Sequence, residues 1–128
     1  MRKLFFSFLT ILLLTGAAYA VELPASDMLP EGLAEAVEKG EVDAGIALCG
    51  TGNGMAMTLN HHPGIRAGLA WNTAIGHLVK EHNNANVLVM PARFISYRMA
   101  VSIVREWLTT DFAGGRHQRR IEKIPLPR

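Results

Sequence analysis

Val42-Asp43-Ala44-Gly45-Ile46-Ala47-Leu48-Cys49-Gly50-Thr51-Gly52-Asn53-Gly54-Met55 is the stretch on which the fold turns. Val42 to Leu48 is a short apolar run and reads as a strand. It empties into a turn carrying Gly50, Gly52 and Gly54, and Met55 to His61 then reads as a helix that stops near Pro63-Gly64. Upstream, Ser26 and Asp27 can cap a helix whose first turn suits Pro30. Leu33, Ala36 and Val37 recur at helical spacing, and Gly40 is a stop. Downstream, Ile65 to Ala70 reads as a second strand, and Asn72 or Thr73 caps a helix to about His82 with Ile75, Leu78 and Val79 inward. Asn86 to Met90 is a third strand. Tyr97 to Thr109 is a helix with Ala100, Ile103, Val104 and Trp107 on one stripe. From Asp111 the tail is Gly-rich, then basic, then Pro-rich.

Strands separated by helices run parallel, and short apolar strands suit a sheet covered on both faces. The expected fold is therefore α/β: a doubly wound, Rossmann-like parallel sheet in three α/β/α layers. Three strands are few beside the usual count of about five or six. The sheet is expected to be incomplete or completed by a partner.

Residues 1–20 stand apart. Met1-Arg2-Lys3 is a basic head, Leu4 to Thr15 an apolar run, and Ala18-x-Ala20 a small-residue cleavage pattern. That is the layout of a secretory signal peptide, with an uncleaved anchor as the lesser option. Residues 1–20 are assigned to this segment and 21–128 to the folded domain. Of the 128 residues, 13 are Lys or Arg and 11 are Asp or Glu. With Arg2 and Lys3 set aside, 11 basic and 11 acidic side chains remain. A balanced domain excludes a general binder of nucleic acid or anionic membranes. The single cysteine excludes an internal disulfide framework and a Cys-rich zinc site.

Ligands of such sheets bind at the carboxyl ends of the strands. Cys49 stands at the end of the first strand beside the glycine turn, whose N–H groups can cradle an anion. A thiolate there is favoured, which suits a base or nucleophile. The alternative is a buried cysteine beside a tight packing turn. A dinucleotide fingerprint fits poorly, because Gly50-x-Gly52-x-Gly54 has the wrong spacing and no suitable acid follows the next strand. His82 at a helix end suits acid–base work near neutral pH, or is an ordinary surface histidine favoured by the helix dipole. His61 and His62 sit in a loop. His77 and His82 are five apart, on different faces of one helix, and make no metal pair. Arg116, Arg119 and Arg120 follow Gly114-Gly115, and with Arg93 they suit a phosphate or carboxylate, or are a solvated basic run.

Four ordered runs carry a resemblance: Cys49–Met55, Pro63–Leu69, Glu81–Arg93 and Leu108–Ile124. Together they resemble the type B ribose-5-phosphate isomerases, within a family of sugar-phosphate isomerases that also includes enzymes for galactose 6-phosphate and allose 6-phosphate. The resemblance runs from about Leu33 to Pro125. It implies a five-stranded parallel sheet, a homodimer, a small phosphorylated sugar as substrate, and no metal or organic cofactor. It implies an aldose–ketose isomerisation, with ribose 5-phosphate and ribulose 5-phosphate as the default pair. Cys49 would move a proton between C2 and C1, and the amides of Gly50, Thr51, Gly52, Asn53 and Gly54 would hold the enediolate oxygens. Thr51 and His82 would assist ring opening, and Asn83 would contact sugar hydroxyls. Arg116 and Arg120, with His117 nearby and Arg93 contributing, would bind phosphate. The family's equivalents of His82, Asn83 and Arg93 reach the site from the neighbouring subunit. The family begins with a strand ending in Asp-His, a helix, a second strand and a loop bearing Tyr in an Asp-Tyr-Pro context. The chain carries none of these and has Pro91 where the family usually has Gly. It is expected to be a truncated or rearranged relative. The resemblance implies a cytoplasmic location, and the signal-like segment implies export.

Overall fold

The computed structural model describes residues 4–7 and 30–124. Its elements in chain order are β1 (Leu4–Ser7), α1 (Pro30–Glu38), β2 (Ala44–Cys49), α2 (Asn53–Leu59), β3 (Ala67–Leu69), α3 (Thr73–Glu81), β4 (Val87–Pro91), α4 (Tyr97–Thr109) and α5 (Arg116–Ile121). Ser26 and Asp27, proposed as caps of α1, lie outside the described residues. Pro30 does open α1, and Gly40 follows it at φ +70°. Asn72 caps α3 by accepting from the Ile75 N–H at 2.9 Å. Ser96 caps α4 by accepting from the Met99 N–H at 3.2 Å.

The sheet has four strands in the order β1-β2-β4-β3, all parallel. The sequence pattern predicts three. The fourth is Leu4–Ser7, which pairs with Ala44–Ala47 along the free edge of β2. It arises within the stretch read as a signal segment, because an apolar run with no acid suits an edge of a buried sheet as well as it suits a leader. The remainder of residues 1–20 lies outside the described residues.

Successive residues of a strand face opposite ways, and the core follows that alternation. Ile46, Leu88 and Met90 pack on one face with Ile103, Val104 and Trp107 of α4. Ala47, Val87 and Val89 pack on the other with Leu33, Ala34 and Leu59 of α1 and α2. The layers follow from handedness. β1 to β2 and β2 to β3 step one way along the sheet, and β3 to β4 steps back. Right-handed crossovers require that reversal to change the face, which puts α3 and α4 opposite α1 and α2. The doubly wound α/β/α expectation therefore holds. Gly45 lets α1 sit close on β2: a Cβ there would lie 2.6 Å from Leu33 Cδ1. β3 is short for a chemical reason. The next rung beyond Ala70, whose N–H donates to Val89 O at 2.9 Å, would need a donor at residue 91. Pro91 has none.

Among the described residues no helix is long and apolar enough to cross a membrane.

Candidate active site

The carboxyl ends of the strands form one rim of the molecule. Cys49 is the last residue of β2 and is paired with Pro91, the last of β4. The Cys49 carbonyl accepts from the Ala92 N–H at 2.9 Å, and the Gly50 carbonyl accepts from the Arg93 N–H at 3.1 Å. These bonds tie the glycine turn to the end of β4. Gly52 precedes α2 at φ +80°. A side chain at that φ is strained, and a Cβ would also run into Leu69 Cδ1. The Gly52 N–H holds the Cys49 pKa below the ordinary thiol value of 9.0; burial opposes it, and the N–H groups of Met55, Thr51 and Gly50 add to it. Thr51 Oγ1 accepts from the Asn53 N–H at 3.4 Å, and Thr51, Asn53 and Gly54 are exposed above the thiol's turn.

The second group of expected site residues lies at the other end of the sheet. His82 ends α3, its N–H donating to Leu78 O at 2.9 Å. Asn83 is exposed beside it, and Asn84 takes φ +47° to turn the chain towards β4. The tail returns here, because the Ala113 N–H donates to Glu81 O at 2.9 Å. Gly114 and Gly115, at φ +63° and +55°, then redirect it into α5. The rings of His82 and His117 stack with centroids 4.2 Å apart and planes 7° from parallel. Arg116 Nε donates to His117 Nε2 at 3.4 Å. His117 is held below the ordinary imidazole value, by burial first and then by His82, Arg116 and Arg120.

α5 was not expected from the sequence, where glycine and arginine content masked a two-turn helix. The available signal was spacing: Arg116 and Arg120 are one turn apart, as are Gln118 and Glu122, which bond at 2.9 Å.

The two groups do not meet within one chain. Val87 opens β4 opposite Gly45, and Pro91 closes it opposite Cys49. Four strand steps of about 3.3 Å separate those levels by roughly 13 Å, with His82 still further below. Arg93 also departs from expectation. It was expected to reach the site from a neighbouring subunit, yet it seats on its own glycine turn, with Nε 3.3 Å from the place of a Gly50 Cβ. The reason is topological: β4 delivers residue 91 beside Cys49, so residue 93 lands on the loop. Arg116, His117 and Arg120 stand with His82 rather than with Cys49. His61 is exposed, while His62 Nδ1 lies 3.3 Å from Glu38 Oε2. Among the described residues no cluster of His, Cys, Asp and Glu is arranged to hold a metal ion.

The model of the Ribose/Galactose Isomerase family matches residues 28–124. A chain of Bacillus subtilis bearing the name "Putative sugar phosphate isomerase YwlF" is 50% identical over 92 residues, covering 72% of this chain and 62% of its own length. The chain thus spans less than two thirds of that relative. The ribose 5-phosphate isomerase of Thermotoga maritima superposes with a TM-score of 0.74 at 42% identity, over 86% of this chain and 75% of that one. Ribose-5-phosphate isomerase B of Mycoplasma genitalium, solved with ribulose 5-phosphate bound, gives a TM-score of 0.71 at 38% identity, over 86% and 73%.

Proposed function

The chain belongs to the ribose/galactose isomerase family, and from that premise we propose that it interconverts D-ribose 5-phosphate and D-ribulose 5-phosphate through an enediolate. The observation that carries the reading is the Cys49 thiol at the end of β2 beside its glycine turn, whose N–H groups lower its pKa. A thiolate beside a preformed anion hole is what proton transfer next to a carbonyl requires. Cys49 takes the proton from C2 and returns it to C1. The amides of Gly50 to Gly54 hold the two oxygens across which the enediolate charge is spread. Thr51 and His82 open the furanose ring, and Asn83 binds sugar hydroxyls. Arg116 and Arg120, beside His117, hold the phosphate, and Arg93 adds charge over the cysteine loop.

The two rims act together when two copies pair with opposed sheet ends, so that the cysteine rim of one faces the histidine–arginine rim of the other. An isologous homodimer makes two such sites. The substrate class suits a cytoplasmic setting.

The test is turnover of ribose 5-phosphate by the full chain, with Cys49→Ala as control. Cysteine-dependent formation of the ketose supports the reading, and turnover unchanged in Cys49→Ala overturns it. A second reading has its own observation: within one chain the cysteine rim and the histidine–arginine rim stand at opposite ends of the sheet. In that reading the chain binds phosphosugars without converting them, or pairs with a full-length relative. Calorimetric binding of ribose 5-phosphate without turnover would favour it.

A further inference from the structure

A line of carboxylates and imidazoles runs from α4 across α3 to His82. Glu106 Oε1 lies 2.9 Å from His77 Nδ1, and Thr110 Oγ1 lies 3.1 Å from the same nitrogen. The Thr110 hydroxyl donates to the Glu106 carbonyl at 2.7 Å, so towards His77 its oxygen accepts and Nδ1 is the donor. Thr110 is buried, which fixes that end of the line. His77 Nε2 faces Glu81 Oε2 at 3.6 Å, a contact too long for a hydrogen bond. The same Glu81 oxygen lies 3.0 Å from His82 Nε2. His77 and Glu81 are one turn apart on α3, as are Glu106 and Thr110 at the end of α4, so the line is built from two helix faces. Its last ring is clamped face to face on His117.

We propose that Glu81 positions the His82 imidazole and selects its tautomer for opening the sugar ring. The inference rests on the ring-opening role given to His82 above. A neutral imidazole carries one N–H. The Glu81 carboxylate beside Nε2 favours the proton on that nitrogen and leaves the lone pair on Nδ1. Nδ1 takes the proton of the anomeric hydroxyl, and the O1–H electron pair becomes the second bond of C1=O1. The C1–O4 bond breaks, O4 keeps its electron pair, and Nδ1 returns the proton to O4. His82 ends as it began. Glu81 touches no substrate atom; it is a positioning residue.

The experiment compares two aldose phosphates. D-Ribose 5-phosphate rests as a furanose. D-Erythrose 4-phosphate cannot form one, because its O4 carries the phosphate. Glu81→Ala is expected to lower kcat on ribose 5-phosphate at least about tenfold more than on erythrose 4-phosphate, with KM moved less than about threefold. Glu81→Gln, whose amide oxygen still accepts, should recover part of the loss. Equal losses on both sugars would mean a structural role and overturn the inference. A second measurement stands apart from turnover: the ¹⁵N shifts of neutral His82 in the unsubstituted protein. The Nε2–H tautomer supports the proposal and the Nδ1–H tautomer overturns it, including where Glu81→Ala does not fold or where only one sugar is accepted. Absence of turnover on both sugars removes the isomerase reading, while the tautomer still reports whether Glu81 sets the ring.

Discussion

The two rims of the sheet are built from different material. The cysteine rim is mostly backbone: one thiol, a glycine at φ +80°, and amides whose direction follows from that turn. The histidine rim is mostly side chain: stacked imidazoles, carboxylates, and arginines on a short helix reached through two left-handed glycines. Backbone donors are held by the chain itself and need little reorganisation when charge develops. Side-chain donors must each be held by a neighbour, and the pairs around His82 do that. The lesson is that anion stabilisation sits where the main chain is rigid, whereas ring handling and phosphate capture sit where neighbours set the geometry.

The strongest way to break this comparison is to disable the rims separately. Cys49→Ala and a double Arg116→Ala, Arg120→Ala variant are each expected to lose about 10³-fold or more in kcat/KM on ribose 5-phosphate. If the rims meet across two copies, mixing the inactive variants after dissociation should restore about a quarter of the unsubstituted activity, because half the dimers then hold one intact site. No recovery on mixing would remove the two-copy site. A smaller effect tests the rigidity of the cysteine rim. Gly52→Ala places a side chain at a left-handed position against Leu69 and should cost about 2 kcal/mol or more, read from denaturant midpoints. An equivalent Gly54→Ala, where a Cβ meets nothing within 4 Å, should cost much less.

The thiol supplies a test with a defined sign. The folded Cys49 titrates below its unfolded value of 9.0. Its contribution to stability is therefore complete above the unfolded value and is lost as pH falls through the folded one. The stability of the unsubstituted chain relative to Cys49→Ala should rise with pH between those two values. The pH midpoint for alkylation by iodoacetamide should lie below the ordinary thiol value and move up in Gly52→Ala. The smallest expected effect sharpens the other rim. Arg120→Gln should raise KM for ribose 5-phosphate about tenfold, while the adjacent Arg119→Gln, outside the proposed phosphate group, should stay within about twofold.

Much of the fold was legible because its signals are local. The alternation of apolar runs with glycine and Asn72 marked β2, β3, β4 and α3, and Tyr97–Thr109 is the helix at the limits its stripe suggested. Three features were not legible. Leu4–Ser7 reads as a leader until an open strand edge is present beside it. α5 has no buried residue, so no apolar stripe could announce it. The pairing of His77 with Glu106 was not legible either, since Glu106 comes from another helix.

The residues by themselves determined the α/β class, the parallel strands, the glycine turn after Cys49 and the chemistry-bearing residue types, because periodicity, turn preference and thiol chemistry are properties of short stretches. The tertiary structure alone decided which of those residues stand together. Strand direction carries Arg93 up to the cysteine loop and leaves His82, His117 and the arginines of α5 at the opposite end. Distance across a sheet is set by pairing and register, which no single stretch of sequence contains.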